Sequence, residues 1–269
     1  MLEARYFDRM SKSIDSKMEL IHYATPGTVL DVGAGGGELA KAFQNASYEV
    51  TALDLSPESV ERLKTQHLHT VEGSAYELDK LFTKNSFDNV VFSSILHEIF
   101  SYSKEKNRST ITHTLQAAKR ILKPNGRILI RDGRMPTNHN DEVVLTALTD
   151  DMSHLIEEYT QLCPFINTEV ILKRLNKWQW QGDYASAMEA LYTVNWGRES
   201  LRRESQELFA LYTANEYCEV LEKLGFRMIH VMDGGGTYKR YLENKAIIRN
   251  MNDESMWPTA TGVWVAEKY

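Results

Sequence analysis

Two cysteines, Cys163 and Cys218, are all that a chain of 269 residues contains, and they stand in no Cys-x-x-Cys spacing. That argues against a thiolate metal centre and a disulfide-stapled scaffold; no metal is expected, and the thiols are expected to be free in a reducing compartment. Long apolar runs are also missing. No stretch approaches the roughly 18 uncharged apolar residues of a membrane span. The charged opening Met1-Leu2-Glu3-Ala4-Arg5-Tyr6-Phe7-Asp8-Arg9 has no apolar signal core. A cytoplasmic protein is the expectation. Basic excess is lacking too: 31 Lys and Arg face 37 Asp and Glu, for a formal charge of -6. This disfavours loose, charge-driven binding to nucleic acid or anionic membranes and leaves room only for a specific nucleic acid held by a local basic patch. There is no internal repeat and no low-complexity tract.

What is present is an ordinary globular composition, 42% hydrophobic and 25% charged, long enough for one large α/β domain with an insertion or for two small domains. The first half alternates strand-like and helix-like runs. Residues 28–32 form a short apolar run ending in Asp-x-Gly, and residues 38–45 have helical spacing through Leu39, Ala42 and Phe43. Residues 48–53 read as a second strand. Ser56-Pro57-Glu58-Ser59 reads as a helix start, with Ser at the cap and Pro at the first helical position. Residues 69–72, 87–93 and 127–130 read as three more strands, with an amphipathic helix over 108–122 and a turn at Lys123-Pro124-Asn125-Gly126. This rhythm implies a parallel sheet with helices on both faces.

The later part reads as helical over 141–162 and 183–212, and we take residues 134–212 as a helical insertion following the fifth strand. A helix from Thr213-Ala214-Asn215-Glu216 to Leu224 is stopped by Gly225, and strands follow at 226–231 and 263–267. The expected domains are therefore 1–133 with 213–269, including an N-terminal helix over 1–24, and the insertion 134–212.

The first strand leads into Asp31-Val32-Gly33-Ala34-Gly35-Gly36-Gly37 and then a helix. Glycines there let the backbone turn tightly and let a ligand lie against main-chain N–H groups. A dinucleotide fingerprint needs Gly-x-Gly-x-x-Gly, and Glu38 stands where its third glycine belongs, so an NAD enzyme is a distant reading. The spacing instead resembles the Asp/Glu-x-Gly-x-Gly-x-Gly motif of class I (Rossmann-like) S-adenosylmethionine-dependent methyltransferases, matched by Asp31, Gly33, Gly35 and Gly37. The resemblance implies that Asp31 lies near the methionine amino group, and that Gly33, Ala34, Gly35 and Gly37 lie under the ribose and methionine portion. Asp54 ends the second strand, where a carboxylate can accept from both ribose hydroxyls, and Leu55 follows it. Gly73-Ser74-Ala75 resembles the Gly-Asp-Ala step that contacts adenine in this family, with Ser74 replacing the Asp. A hydroxyl bonds an amine more weakly than a carboxylate does.

Residues 87–98 resemble the family's fourth-strand motif, Phe-Asp-x-Val-x-x-x-x-x-Leu-His. The resemblance puts Ser93 and Ser94 at the methionine end, with His97 and Glu98 near the methyl-transfer face. It covers residues 28–132 and implies a seven-stranded, mostly parallel sheet with a helical lid after the fifth strand, and S-adenosylmethionine as cofactor. His97 reads as a general base or as part of the cofactor wall. Glu98 orients an acceptor or caps a helix. Arg131 and Asp132 bind substrate or pair with each other. Tyr6 sits on the N-terminal helix that closes over the cofactor in similar enzymes; core packing is the equal alternative. Tyr238, Lys239 and Arg240, after Gly234-Gly235-Gly236-Thr237, combine aromatics and cations in a way that suits a phosphate or nucleotide; an ordinary surface loop is the other reading. A small-molecule acceptor held under the lid is the leading reading. An RNA or nucleotide acceptor at the Gly-Tyr-Lys-Arg-Tyr loop comes second, and a non-catalytic module that binds the cofactor and regulates a partner third. The sequence sets no oligomeric state beyond monomer or homodimer.

Overall fold

A computed structural model describes residues 14–232, 238–258 and 261–269. Its strands in chain order are β1 (Thr28–Val32), β2 (Glu49–Asp54), β3 (His69–Glu72), β4 (Phe87–Ser93), β5 (Leu122–Asp132), β6 (Glu142–Ala147), β7 (Leu172–Arg174), β8 (Gln179–Asp183), β9 (Phe226–Met232), β10 (Ala246–Asn250), β11 (Ser255–Met256) and β12 (Gly262–Lys268). Its α-helices are α1 (Ile14–Tyr23), α2 (Glu38–Asn45), α3 (Pro57–Thr65), α4 (Leu78–Leu81), α5 (Leu96–Ser101), α6 (Ser109–Ile121), α7 (Asp150–Leu162), α8 (Tyr184–Asn195), α9 (Leu201–Glu204), α10 (Ala214–Lys223) and α11 (Lys239–Leu242). The chain divides into two compact units: 1–132 with 215–232 and 262–269, and 133–214 with 233–261.

The first unit is built on a seven-stranded sheet of order β3-β2-β1-β4-β5-β12-β9. Neighbours from β3 through β5 are parallel, while β12 runs antiparallel to both β5 and β9. The mostly parallel sheet expected from the strand-helix rhythm is what the structure has. Its central strands are apolar because both faces are covered: Val29, Leu30, Val90, Val91 and Phe92 have no exposed surface. Helix α2 buries Leu39, Ala40 and Phe43 on one side, and α6 buries Ile111, Leu115, Ala118 and Ile121. Ser56 caps α3 by accepting from the Ser59 N–H at 3.3 Å, with Pro57 at the first helical position. Gly225, at φ +78°, follows the end of α10, the left-handed position that terminates helices. The strand order reverses between β1 and β4, and in such sheets the carboxyl ends at that reversal form the ligand crevice.

One local expectation differs. Lys123–Gly126 is not a separate turn: β5 already starts at Leu122, and the extra residues are absorbed where the β4–β5 register shifts between Phe87 and Asn89. Asn125 takes the left-handed conformation there, at φ +60°.

The second unit corrects the reading of the insertion as helical. It holds a five-stranded antiparallel sheet, β11-β10-β6-β8-β7. Residues 141–162, expected as one helix, are strand β6 followed by helix α7. Residues 183–212, also expected helical, are helical only over α8 and α9. Residues 233–261, assigned from sequence to the first domain, fall in this unit because β10 pairs with β6. Strand β6 alternates, burying Val143, Leu145 and Ala147, and α7 and α8 pack on it. Helix α8 is buried on nearly every side. Its Glu189, only 2% exposed, accepts from the backbone N–H groups of Phe209 (2.9 Å) and Ala210 (2.6 Å). No helix among the described residues is long and apolar enough to cross a membrane, and both cysteines are free.

Candidate active site

The carboxyl ends of β1, β2, β4 and β5 gather most of the residues singled out by sequence. The turn after β1 reverses the chain through positive φ at Gly33 (+69°), Gly35 (+54°) and Gly37 (+87°). A side chain at Gly33 would run into Ile95, and a Cβ at Gly37 would meet Leu63 Cδ2 at 2.8 Å. Both positions therefore demand glycine on conformation and on space. The N–H groups of Gly33 and Ala34 are spent on the Leu53 carbonyl, at 2.8 and 3.0 Å. That bond pins the turn beside the end of β2.

Asp54 locks the same corner. Its Oδ2 accepts from the Gly35 N–H at 2.8 Å and its Oδ1 from the Ser56 N–H at 2.9 Å. The carboxylate is thus fixed in place with lone pairs still to offer, since each oxygen accepts more than one hydrogen bond. Leu55 beside it is 67% exposed. Across the β2–β3 edge, the Gly73 N–H donates to the Asp54 carbonyl at 3.0 Å. Ser74 Oγ accepts from the Tyr76 N–H at 3.2 Å and so caps the short 3-10 turn Ala75–Glu77. The hydroxyl expected near adenine is therefore also a capping group, keeping its own O–H to donate.

Asp31 is the unusual member of the group. It is 2% exposed, and its Oδ2 has no hydrogen-bond partner. Burial pushes its carboxyl up to about 7; Lys17 opposes that rise, and Asp54 and Glu38 add to it. A buried carboxylate oxygen without a donor is costly in isolation, so this atom marks a place where a cationic donor belongs. The Ser93 hydroxyl at the end of β4 is a second buried polar atom without a partner. Ser94 follows in the left-handed conformation, at φ +57°. Arg131 Nη1 donates to the Ser94 hydroxyl at 2.9 Å.

His97 and Asp132 form a buried pair. His97 is 5% exposed and Asp132 1%, and His97 Nδ1 lies 2.6 Å from Asp132 Oδ1. Asp132 Oδ2 accepts from the backbone N–H groups of Leu96 (2.8 Å) and His97 (3.3 Å) at the start of α5. A carboxylate only accepts, so Nδ1 carries a proton in this pair. Arg131 and Asp132 were expected to contact substrate or pair with each other. In the structure Arg131 reaches Ser94 and Asp132 reaches His97. Glu98 is half-buried on α5 next to His97.

The remaining candidates lie elsewhere. Tyr6 and residues 234–237 fall outside the described residues. Tyr238, Lys239 and Arg240 are in the second unit. There Tyr238 meets Tyr192 edge-on with centroids 5.0 Å apart, and Lys239 stands over the Trp257 ring at 5.9 Å. Lys17, absent from the sequence reading, is a buried cation on α1, 9% exposed and close enough to Asp31 to influence it. Its one sequence signal is its place three residues before Leu20, on the apolar stripe of the helix.

Residues 30–130 match the family model described as a methyltransferase domain. A ubiquinone biosynthesis O-methyltransferase from Xanthomonas oryzae pv. oryzae is 32% identical over 110 residues, which cover 38% of this chain and 41% of that protein. The chain thus spans well under half of that relative's length. Among solved structures, a SAM-dependent methyltransferase from Archaeoglobus fulgidus superposes with a TM-score of 0.53 at 13% identity, covering 99% of this chain and 94% of that one. One from Methanosarcina mazei gives a TM-score of 0.51 at 14% identity, covering 92% and 95%. At these identities the structural likeness concerns the fold.

Proposed function

We propose that this protein, whose residues 30–130 match a methyltransferase domain, is a class I enzyme that transfers a methyl group from S-adenosylmethionine to a small-molecule acceptor with His97 as the base. The observation that carries this reading is Asp31 Oδ2, a buried carboxylate oxygen without a donor at the glycine turn where the parallel strands reverse. The residues present fit the cofactor. Asp31 offers an acceptor for its ammonium, the turn from Gly33 to Gly37 lets a ligand lie close to backbone, and Asp54 holds a fixed carboxylate for the ribose hydroxyls. Leu55 and Gly73-Ser74-Ala75 supply apolar surface and a hydroxyl donor for the base.

S-adenosylmethionine supplies an activated methyl group whose leaving group is a neutral thioether, so the protein has no leaving group to protonate. What remains for the chain is alignment and, for a hydroxyl or protonated acceptor, removal of one proton. His97 is built for that. Asp132 holds Nδ1–H, fixes the tautomer and stabilises the imidazolium once Nε2 has taken the proton. Asp132 is itself fixed by two backbone donors at the start of α5, so the imidazole is positioned rather than mobile.

A small acceptor is supported by the net charge of -6 and by the placement of Lys239 over Trp257, which engages a cation that the nucleic-acid reading needs. It is also supported by the O-methyltransferase named above as a relative. Two free thiols suit a reducing cytoplasm. Calorimetry with S-adenosylmethionine and with NAD, followed by labelled-methyl transfer to a metabolite extract and to total RNA, tests the proposal. We expect binding of the first ligand only, weakened about tenfold or more by Asp54→Ala, and label in the small-molecule fraction. Absence of binding sinks the cofactor reading, and label in RNA sinks the acceptor reading.

A further inference from the structure

Two neighbouring residues at the end of β5 hold the link from β4 to α5 at separate points. Ser93 pairs with Arg131 in the parallel β4–β5 ladder, and the Ser94 N–H extends that ladder to the Arg131 carbonyl at 2.6 Å. The Arg131 side chain then reaches the same residue, with Nη1 donating to the Ser94 hydroxyl at 2.9 Å. Asp132 takes the far end of the link, through the Leu96 and His97 N–H groups and His97 Nδ1. Between the two, Ile95 is seated on the β1 turn: a Cβ on Gly33 would stand 2.4 Å from Ile95 Cγ1.

The part that Arg131 plays follows from the backbone of Ser94. Ser94 stands at φ +57°, a left-handed conformation that serine reaches only against steric cost and that asparagine and glycine take more readily. Released, the residue relaxes toward negative φ, and the start of α5 turns with it. His97 lies in the first turn of α5, so a small rotation at Ser94 displaces the imidazole by more than the roughly 0.5 Å within which reacting groups must be held. A hydrogen bond from a guanidinium is stronger than one between neutral groups, and Arg131 is only 7% exposed, so water competes little for it. This bond opposes the relaxation.

We propose that Arg131 is a positioning residue for His97: through the Ser94 hydroxyl it holds the left-handed turn that sets where α5 begins and where the imidazole stands. It moves no proton and makes no contact with the acceptor. This role rests on the reading of His97 as the base.

Two measurements on the full chain test it: labelled-methyl transfer from S-adenosylmethionine into a dilution series of metabolite extract, and solvent exchange of the His97 Nδ1 proton followed by NMR, its signal assigned by loss in His97→Ala. Arg131→Met and Ser94→Ala each break the bond. Each is expected to lower the transfer rate in excess extract about tenfold, the size of one hydrogen bond to a charged group, and to speed Nδ1 exchange by a similar factor. The extract dilution giving half the maximal rate is expected to stay where it is. The double variant is expected to be no slower than either single one, since the same bond is lost in all three. Ser94→Asn, which keeps an acceptor and tolerates positive φ, is expected to recover most of the loss. Additive losses overturn the assignment. So does a shift in the half-saturating dilution confined to Arg131→Met, which is the signature of acceptor contact, or Nδ1 exchange that no variant alters. If Arg131→Met does not fold, Ser94→Ala and Ser94→Asn decide alone, and equal values for the two contradict the role. An unsubstituted protein that labels nothing in the extract overturns the acceptor reading, while the exchange measurement still decides whether Arg131 places the imidazole.

Discussion

At the scale of single residues, Asp31 makes the sharpest claim. Its carboxyl is raised to about 7, first by burial, so the folded protein holds a proton there that the unfolded chain releases near pH 4. A raised carboxyl stabilises the fold fully below its unfolded value, and that contribution is lost as pH climbs toward 7. The loss is on the order of 4 kcal/mol at most. Urea unfolding of the ligand-free protein should show it as a falling midpoint that Asp31→Asn flattens. Binding has the opposite slope. A ligand ammonium needs the ionised carboxylate, so affinity for S-adenosylhomocysteine should tighten from about pH 6 to about pH 8 and then level off. Lys17, Asp54 and Glu38 face this group and set where the slope sits. Calorimetry across that range checks it, and a flat profile in the native protein contradicts it. His97 yields a second test. His97→Ala should lower turnover by about 10²-fold or more with cofactor affinity unchanged, and Asp132→Asn should lower turnover and shift its pH profile. Asp31, Gly33, Gly35 and Asp54 were legible in the sequence because one strand-turn-helix unit brings them together. The His97–Asp132 pair was not, because only the β4–β5 register joins residues so far apart in the chain. Lys17 was missed because a helical lysine ordinarily reads as solvated.

Single elements show the same division between local and non-local signal. Ser56-Pro57 and Gly225 mark helix ends by chemistry confined to a few residues, and the structure places those ends where they were read. Strand β6 was lost to a helix because the helical spacing of residues 150–162 was carried back across it. The sequence itself marks the strand, since Val143, Leu145 and Ala147 alternate and Thr149 is a helix-capping residue type; in the structure its Oγ1 accepts from the Met152 N–H at 3.2 Å at the start of α7. Helix α8 went the other way. A carboxylate in its apolar sequence gave no hint that Glu189 serves the backbone at residues 209–210. Its removal leaves two buried or half-buried N–H groups without an acceptor, at about 1–3 kcal/mol each. Glu189→Ala should therefore lower the unfolding free energy measured in urea by about 2–6 kcal/mol, and Glu189→Gln by less, because its amide keeps one acceptor oxygen. Tryptophan fluorescence can follow this transition, since four of the five tryptophans lie in the second unit. A Glu189→Ala midpoint equal to that of the unsubstituted protein contradicts the role given to this carboxylate.

For the whole molecule, the decisive fact is that the second unit is assembled from two stretches of chain, 133–214 and 233–261. Sequence patterning reports neighbours along the chain. It cannot report that Ile248 pairs opposite Leu145 and so carries a whole segment from one unit to the other. Each unit nevertheless has its own sheet and its own buried apolar residues: Val29, Val91 and Leu129 in the first, and Leu145, Trp180, Met188 and Ile248 in the second. Two cores imply two sets of local opening reactions. The proposed cofactor residues all lie in the first unit, so a bound ligand stabilises that unit by mass action, about 2.7 kcal/mol at a hundredfold excess over its dissociation constant. Hydrogen exchange with and without S-adenosylhomocysteine should therefore show added protection in β1, β2 and β4 near that size. Amides of β6, β8 and β10 should exchange at nearly their ligand-free rates. Equal protection of both sheets would mean that the two cores open as a single cooperative unit, and the division into separately stable parts would fail.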